Sequence, residues 1–268
     1  MNSQPIGVFD SGIGGLTCLK ELKELLPNED IVYLGDTARV PYGTKSRETI
    51  AEYARQDIAF LKRYDVKMIL VACGTVSSVM ETVPIFEGSG VELYSGVISP
   101  AVKAACEATK NGRIGVIGTP ATIRSGCYTS ALKAIHTDIQ VFSRACPMFV
   151  PLVENGYTDD DNKVTTLIAQ EYLEEMAREN IDTLIMGCTH YPLLKGVFAK
   201  VLGGGVTLIS PGAEAARYAA RMLGEKDMLC GSGGACRLYC TDSEELFAEN
   251  VAAFLGSGIN AEIKKCSL

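Results

Sequence analysis

The sequence predicts an α/β protein made of two similar lobes, each built on a parallel sheet. Short apolar runs of strand length alternate along the chain with longer segments whose apolar residues recur at helical spacing. Four sequence patterns also recur in the same order at a nearly constant offset. Strands that alternate with helices favour parallel sheets covered by helices on both faces. A chain of 268 residues is long enough for one large domain or two small ones.

The first half alternates strand and helix patterns in a regular order. Ile6–Phe9 is a predicted strand, and the turn that begins at Gly12 leads into a helix that ends at Pro27. Ile31–Leu34 is the second predicted strand. The next predicted helix is Arg47–Tyr64, with these residues at helical spacing: Ile50, Tyr53, Ala54, Asp57, Ile58 and Leu61. The third and fourth predicted strands are Met68–Val71 and Leu93–Ile98.

The second half repeats four segments of the first half in the same order. The offsets between the paired segments are 108, 110, 115 and 111 residues. The pairs are Ile6–Gly12 with Ile114–Pro120, Val40-Pro41 with Val150-Pro151, Ile69–Gly74 with Leu184–Thr189, and Ile98–Pro100 with Ile209–Pro211. We interpret them as two copies of one α/β unit, related by a pseudo-twofold axis.

The repeats also predict where the chain passes between lobes. The Ser-Pro elements mark the crossings, and the predicted helices Ala213–Leu223 and Ser243–Leu255 are assigned to the first lobe. That lobe is then discontinuous and comprises residues 1–98 and 210–268, whereas residues 99–209 form the second lobe. We expect the active site in the cleft between them.

Composition and charge argue against several classes of partner. The net charge is −7, and the apolar and charged fractions, 47% and 21%, are ordinary for a globular protein. No broad basic surface for nucleic acid or an anionic membrane is expected. The sequence contains neither a secretory signal pattern nor an apolar run long enough to cross a bilayer, so we predict a cytoplasmic protein.

The ten cysteines do not form the pattern of a disulfide-stabilised secreted domain. Most are expected to be reduced thiols that pack as small apolar groups. Three of them lie in the tail segment Cys230–Cys240, which lacks Cys-x₂-Cys spacing and a nearby histidine. A flexible Gly-rich hairpin with incidental thiols is therefore favoured there over a metal site, and no metal site is predicted.

Polar residues follow each predicted strand, where parallel α/β sheets bind their ligands. These groups are Asp10-Ser11-Gly12, Gly35-Asp36, Cys73-Gly74-Thr75, Gly118-Thr119 and Cys188-Thr189-His190. The glycines of Gly12–Gly15 do not complete a dinucleotide fingerprint, because position 17 is Thr, and the phosphate-loop Gly-Lys-Ser/Thr is absent. Close packing of helix on strand is the better interpretation of these glycines.

Cys73 and Cys188 occupy equivalent places in the two repeats and are expected to enter the cleft from opposite sides. In such a pair, one thiolate removes a proton from a carbon and the other thiol returns a proton to the opposite face, which inverts a stereocentre. Each cysteine is expected to precede a helix, where backbone N–H groups favour the anion. His190 and Asp10 are candidate helpers. The alternatives are that the thiols only pack in the core and that Asp10 only caps a helix.

Three long motifs give the sequence a resemblance to a known family. They are Gly7–Gly15, Tyr33–Gly43 and Gly187–Leu194. The chain resembles the glutamate racemases, within the cofactor-independent aspartate/glutamate racemase superfamily, over nearly its whole length. The resemblance implies interconversion of L- and D-glutamate, a supply of D-glutamate for peptidoglycan, a homodimer, and no cofactor, neither pyridoxal phosphate nor metal.

The resemblance also implies a role for individual residues. Cys73 would act on the D-glutamate side and Cys188 on the L-glutamate side, with Asp10, His190 and Glu154 as their acid–base partners. The implied substrate-binding residues are Asp10, Ser11, Pro41, Tyr42, Gly43, Gly74, Thr75, Thr119, Thr122, Thr189 and His190.

Gly74 departs from the family pattern, which has Asn after the first cysteine. Glycine lacks the side-chain hydrogen bond that the family's Asn gives to the substrate. The alternatives are weaker binding, a changed substrate, or compensation by Ser77 or Ser78. A racemase of aspartate or another small acidic amino acid is therefore one alternative. A regulatory binding protein that has lost catalysis is the other.

Overall fold

The computed structural model describes residues 2–256 and 261–268. Its strands are β1 (Ile6–Asp10), β2 (Ile31–Gly35), β3 (Met68–Val71), β4 (Tyr94–Gly96), β5 (Arg113–Gly118), β6 (Gln140–Ala145), β7 (Thr183–Gly187), β8 (Thr207–Ile209), β9 (Cys236–Cys240) and β10 (Ala261–Lys265). Its helices are α1 (Leu16–Leu25), α2 (Arg47–Lys62), α3 (Gly74–Met80), α4 (Ile98–Ala108), α5 (Pro120–Ser125), α6 (Cys127–Ile135), α7 (Phe149–Glu154), α8 (Lys163–Arg178), α9 (Lys195–Leu202), α10 (Pro211–Glu225) and α11 (Glu244–Leu255). Short 3₁₀ turns lie at Thr37–Arg39, Tyr42–Thr44 and Tyr191–Leu194.

The chain divides into two compact units. The first contains the residues up to Val97 and those from Gly212 onward, and the second is Ile98–Pro211. Each unit holds one sheet in which every strand pair is parallel. The predicted fold class, two parallel-sheet α/β regions, is confirmed.

The sheet of the first unit has six strands in the order β10-β9-β2-β1-β3-β4. Every residue of β1, β2 and β3 is buried. Central parallel strands are covered on both faces and therefore consist of continuous apolar runs, as these do. Their apolar side chains pack with α2 and α3 in one core cluster, which includes Phe9, Leu61 and Val71.

The sheet of the second unit has four strands in the order β6-β5-β7-β8. This order matches β2-β1-β3-β4 of the first unit strand for strand, as the internal repeat requires. Three of the four repeated segments lie at corresponding strand ends. The pair Val40-Pro41 and Val150-Pro151 does not correspond locally, because the first lies between two 3₁₀ turns and the second lies within α7.

Several predicted bounds differ from the structure at places where the backbone is not regular. The first helix begins at Leu16, because Gly12–Gly15 forms the loop that precedes it. The fourth strand is only Tyr94–Gly96, because Ile98 already begins α4. The helix predicted for Arg47–Tyr64 ends at Lys62.

The tail does not form the predicted Gly-rich hairpin. Cys236–Cys240 is β9, a strand inserted between β2 and β10 with Cys236 opposite Ile31 and Cys240 opposite Gly35. The hairpin prediction was wrong because alternate residues of this segment, Cys236, Leu238 and Cys240, are buried and contribute to the core of the sheet. Helix α11, predicted from Ser243, starts where the Ser243 hydroxyl accepts a hydrogen bond from the Leu246 N–H.

Among the described residues, no helix combines the length and the apolar composition needed to cross a bilayer.

Candidate active-site residues

The first unit brings Asp10, Ser11 and Cys73 together at the carboxyl ends of β1 and β3. These strands are neighbours in register, with Phe9 opposite Val71, and the Ala72 N–H donates to the Phe9 carbonyl at 2.8 Å. The Cys73 Sγ lies 3.3 Å from the Ser11 Oγ. Because β1 and β3 are adjacent and parallel, Asp10, Ser11 and Cys73 lie at the same edge of this sheet, as predicted from their positions at the strand ends.

Cys73 is the N-cap of α3 and is almost fully buried. Its Sγ accepts from the Val76 N–H at 3.5 Å, and the residue is 4% exposed. Burial, followed by the negative charge of Asp10, raises the pKa of the Cys73 thiol from 9.0 to about 12, although the hydrogen bonds from Ser11 and Val76 oppose the shift. The expected effect of the helix start is present, since the hydrogen bond from the Val76 N–H lowers the pKa of Cys73, but desolvation outweighs it.

Asp10 is held in place by the glycine loop that follows it. Its Oδ2 accepts from the N–H of Gly12 at 3.2 Å and from that of Gly15 at 2.9 Å, and the residue is 2% exposed. A Cβ at position 15 would lie 2.6 Å from the Asp10 Cβ and 3.1 Å from the Ala72 Cβ. The close-packing interpretation of these glycines agrees with this geometry. The N-cap of α1 is Gly15 rather than Asp10.

The second unit surrounds Cys188 with different partners. Its Sγ lies 3.8 Å from Nδ1 of His190, and the His190 Nε2 lies 3.2 Å from Oε1 of Glu154, at the end of α7. Cys188 and His190 are 7% and 8% exposed, whereas the Glu154 side chain is 44% exposed. If Nε2 carries the proton and donates to Glu154, Nδ1 is the acceptor that faces the thiol.

The backbone after Cys188 differs from the helix start that the sequence predicted. Cys188 follows β7 by one residue, and the next regular element is the 3₁₀ turn Tyr191–Leu194, ahead of α9. No α-helix begins at Cys188, so a helix dipole does not act on this thiol.

Thr119 and Thr122 lie at the neighbouring strand end of the second unit. Gly118, the last residue of β5, is opposite Gly187, so Thr119 and Cys188 follow adjacent strands. The Thr119 hydroxyl caps α5 by accepting from the Thr122 N–H at 3.3 Å, and the two hydroxyls lie 3.0 Å apart.

The segment that carries Pro41, Tyr42 and Gly43 places the tyrosine side chain inward. The Tyr42 hydroxyl donates to Asp36 Oδ2, and the residue is buried. Pro41 is exposed. The tyrosine ring is thus part of the core, whereas Pro41 and Gly43 on either side of it retain exposed surface.

Sequence reasoning missed four residues around Tyr42: Asp57, Arg39, Gln56 and Thr241. They form a polar cluster with Asp36, in which Asp36 and Asp57 are buried and the other three residues are partly exposed. The signal that could have found it is Asp57, a carboxylate at a core-facing position of α2.

The hydroxyls near Gly74 are already engaged with the backbone. Ser77 donates to the Val71 carbonyl at 3.3 Å and accepts from the Val97 N–H at 3.1 Å. Ser78 donates to the Thr75 carbonyl at 2.7 Å. The idea that these serines compensate for the missing amide at Gly74 is therefore not favoured.

Within residues 2–256 and 261–268, no cluster of three or more His, Cys, Asp or Glu side chains has the arrangement of a metal site.

Comparison with known proteins decides the family. The model of the Asp/Glu/Hydantoin racemase family matches residues 6–219. The chain belongs to this family. Its predicted enzyme class, an isomerase that acts as a racemase, is thereby confirmed.

Individual members of the racemase family are similar over most of the chain. A glutamate racemase of Geobacter metallireducens is 46% identical over 229 residues, 84% of this chain and 82% of its own length. The crystal structure of a glutamate racemase isoform from Bacillus anthracis has a TM-score of 0.93 at 37% identity and covers 100% of this chain and 99% of its own. The glutamate racemase of Francisella tularensis, crystallised with D-glutamate, has a TM-score of 0.90 at 38% identity, with 100% and 98% covered.

Proposed function

We propose that this racemase interconverts L- and D-glutamate with two thiols, one supplied by each unit. The observation that carries the proposal is that equivalent strand ends of the two sheets each hold a cysteine with its own acid–base partner. Cys73 lies in the electrostatic field of Asp10, and Cys188 contacts the His190–Glu154 pair.

In the L-to-D direction, Cys188 acts as the base. His190 takes the Cys188 proton, and the resulting thiolate removes the α-proton of L-glutamate, so the C–H bond breaks, an S–H bond forms and the electron pair stays on the α-carbon. The Cys73 S–H then donates its proton to the opposite face, which gives D-glutamate and a Cys73 thiolate. The raised pKa of Cys73 supports this order, because the thiol stays protonated until the carbanion forms.

In the D-to-L direction, the roles of the two thiols exchange. Cys73 must first lose its proton, and the buried Asp10 carboxylate, held by two backbone N–H groups, is the proposed acceptor. Glu154 stabilises the imidazolium that forms when His190 holds a proton. After each turnover, exchange with solvent returns a proton to the thiolate left on one side and removes the proton held by the partner on the other side. Side chains and water thus account for every proton, and the proposal includes no metal and no pyridoxal phosphate.

The proposed substrate is glutamate because relatives at 37–46% identity that match nearly the whole chain are glutamate racemases. The amino acid would be held by Asp10, Ser11, Pro41, Tyr42, Gly43, Gly74, Thr75, Thr119, Thr122, Thr189 and His190. The Tyr42 contribution is assigned to its backbone, because the hydroxyl is bound to Asp36.

Gly74 supports a second candidate substrate, aspartate or another small acidic amino acid. Position 74 offers no side-chain hydrogen bond, and the neighbouring Ser77 and Ser78 hydroxyls are bound to backbone groups. A panel of L-amino acids in the exchange assay described below separates the two. Exchange confined to a substrate other than glutamate would favour the second candidate.

The proposed biological role is the supply of D-glutamate for peptidoglycan by a cytoplasmic homodimer. Expression of the chain should restore growth of a bacterial strain that requires external D-glutamate, and variants with Cys73→Ala or Cys188→Ala should not. Restoration by both variants would instead support the regulatory binding protein. Light scattering of the purified protein measures its mass and so tests the dimer.

Incubation with L-glutamate in D₂O tests the reaction itself. We expect deuterium at the α-carbon together with loss of optical rotation, and neither change with the doubly substituted Cys73→Ala, Cys188→Ala protein. Circular dichroism checks that the protein is folded under the assay conditions. Absence of exchange with both enantiomers, at adequate concentration of folded protein, would contradict the proposal for glutamate.

A further inference from the structure

The segment 36–44 lies against both parts of the first unit's candidate site. A Cβ at Gly12 would lie 3.1 Å from Cγ1 of Val40, so this segment packs on the loop that holds Asp10. The 3₁₀ turn Tyr42–Thr44 contacts α3, the helix that Cys73 caps. The backbone of Pro41–Gly43 is therefore placed beside Asp10 and Cys73, and whatever fixes this segment fixes one wall of the site.

Two buried carboxyl groups and one guanidinium lie beneath this segment. Asp36 and Asp57 are 0% exposed. The Arg39 Nε donates to Asp36 Oδ2 at 2.5 Å and its Nη2 donates to Asp57 Oδ1 at 3.1 Å. If both carboxyls were ionised, the cluster would hold an uncompensated buried negative charge, which is unfavourable.

The Tyr42 hydroxyl joins the two carboxyl groups and shows where one proton belongs. It donates its single hydrogen to Asp36 Oδ2, and its oxygen also lies 3.4 Å from Asp57 Oδ2. With that hydrogen given to Asp36, a carboxylic acid at Asp57 would donate to the Tyr42 oxygen and complete the second contact. Burial and the nearby Asp36 raise the pKa of Asp57, which agrees with a protonated Asp57.

Residues just after β9 also bind the cluster and the start of segment 36–44. The Thr241 hydroxyl, one residue after β9, donates to Asp36 Oδ1 at 2.9 Å and accepts from the Ala38 N–H at 2.9 Å. The Asp242 N–H donates to the Thr37 hydroxyl at 3.0 Å. The start of segment 36–44 is thus tied to residues more than 200 positions later in the chain.

We propose that Asp57, Tyr42, Asp36 and Thr241 form a hydrogen-bonded chain whose function is to position the Pro41–Gly43 backbone for the substrate. The chain runs from the Asp57 carboxylic acid through the Tyr42 hydroxyl to the Asp36 carboxylate, which Arg39 and Thr241 also bind. These are positioning residues that act through the backbone they hold. The inference rests on the proposed function, since it assigns that backbone to the amino-acid substrate.

Thr241 gives the sharpest test, because its side chain acts on segment 36–44 only through Asp36 and Ala38. Thr241→Val removes the hydroxyl at nearly constant volume, and Thr241→Ser keeps it. We expect Thr241→Val to raise KM for glutamate about tenfold with kcat within about twofold, and Thr241→Ser to stay within about threefold of wild type in KM. Equal KM values for the two variants, or a lower melting temperature with unchanged KM, would overturn the inference.

Asp57 tests the protonation that the chain requires. Asp57→Asn retains a donor toward Tyr42 and an acceptor toward Arg39, whereas Asp57→Leu removes both. We expect Asp57→Leu to raise KM about tenfold and Asp57→Asn less than threefold. A larger effect of Asp57→Asn than of Asp57→Leu would contradict a protonated Asp57.

Hydrogen exchange keeps this inference separate from the proposed function. If the wild-type protein racemises no glutamate, the proposed function fails, yet amide exchange in residues 37–44 can still be compared between the two Thr241 variants. Exchange about tenfold faster in Thr241→Val than in Thr241→Ser supports the positioning chain, and equal exchange rates overturn it.

Discussion

The two units place a thiol at the same strand end of the same sheet topology and surround it differently. In the first unit, whose sheet contains the order β2-β1-β3-β4, the Cys73 thiol is buried and contacts Ser11. The charge of Asp10 contributes to the raised pKa of this thiol. In the second unit, whose sheet has the order β6-β5-β7-β8, the Cys188 thiol contacts Nδ1 of His190. The other ring nitrogen of His190 contacts the half-exposed carboxylate of Glu154. The sulfur therefore lies at the same strand end in both repeats, whereas its surroundings differ: Ser11 and Asp10 act on Cys73, and His190 contacts Cys188.

The largest expected effect comes from substituting the thiols one at a time. In the proposed mechanism each thiol serves one face of the α-carbon, so Cys73→Ser and Cys188→Ser should each lower racemisation by roughly 10⁴-fold, the upper range for an acid–base group. The two variants should differ in the residual exchange in D₂O. Cys73→Ser should still exchange the α-proton of L-glutamate, and Cys188→Ser that of D-glutamate.

Chiral chromatography with mass spectrometry measures both quantities in one sample. Cys106→Ser, on α4, is the matched control and should keep wild-type activity. If each single variant exchanged both enantiomers equally, the two thiols would not be assigned to opposite faces.

The second expected effect is a pH dependence of the Cys73 thiol. At a pKa of about 12 rather than 9.0, the thiolate fraction below pH 9 is smaller by about 10³-fold, and it rises about tenfold per pH unit through pH 10. Alkylation of Cys73 by iodoacetamide, followed by peptide mass spectrometry, should therefore keep increasing between pH 8 and 10.5. In urea-unfolded protein, alkylation of the same peptide should rise less than twofold above pH 9 and level off near pH 10.

The slope of that profile is the deciding quantity, because poor access of the reagent lowers the rate equally at every pH. A rise of less than twofold above pH 9 in the folded protein would mean that burial and Asp10 do not hold the thiol protonated. The comparison between the two thiols would then lose its electrostatic basis.

The positions of these thiols at strand ends were predictable, because strand ends follow from local sequence patterns. Apolar runs such as Met68–Val71 are buried on both faces, and their ends are marked by small polar residues. The pKa of Cys73 was not predictable in the same way, since it depends on how completely other segments cover the sulfur. The motif resemblance supplied Glu154 as a further acid–base residue, which spacing alone does not indicate, and the structure adds its contact with His190.

Non-local pairing explains what the sequence did not reveal. β9 looked like a glycine- and cysteine-rich loop, and its place beside β2 depends on contacts across about 200 residues. The same pairing brings Thr241 to Asp36, so the polar cluster under Tyr42 was also out of reach. Asp57 was visible as one polar residue at helical spacing among apolar ones, but its partners were not.

The third prediction concerns the glycine loop that holds Asp10, a feature of the first unit. A methyl group at position 15 would meet the Asp10 Cβ at 2.6 Å, so Gly15→Ala should cost about 1–3 kcal/mol of unfolding free energy through overpacking. It should also displace Asp10 and lower kcat about tenfold more in the D-to-L direction than in the other. KM for D-glutamate should fall with it, because kcat/KM must change equally in both directions of a racemisation. Urea denaturation and initial rates in both directions measure these effects.

Gly204→Ala is the control, because a Cβ there meets nothing within 4 Å. It should change neither stability nor rate beyond error. If Gly15→Ala slowed both directions equally, Asp10 would not serve Cys73 selectively.

The smallest expected effect is at Glu154, the outer partner in the second unit. Its side chain is 44% exposed, so solvent screens its charge, and its contact with His190 at 3.2 Å contributes less than a buried pair would. Glu154→Gln keeps a group that can accept from Nε2 and should lower kcat only about threefold, with KM unchanged. The exposed Glu171→Gln on α8 is the matched control and should have no effect.

Steady-state rates in 0.05 M and 0.5 M salt test whether the Glu154 carboxylate acts through its charge. If it does, salt should reduce the difference in kcat between wild type and Glu154→Gln. A loss comparable to that of Cys188→Ser would instead make Glu154 an obligatory proton acceptor, and the second unit would then depend on its carboxylate as strongly as the first depends on Asp10.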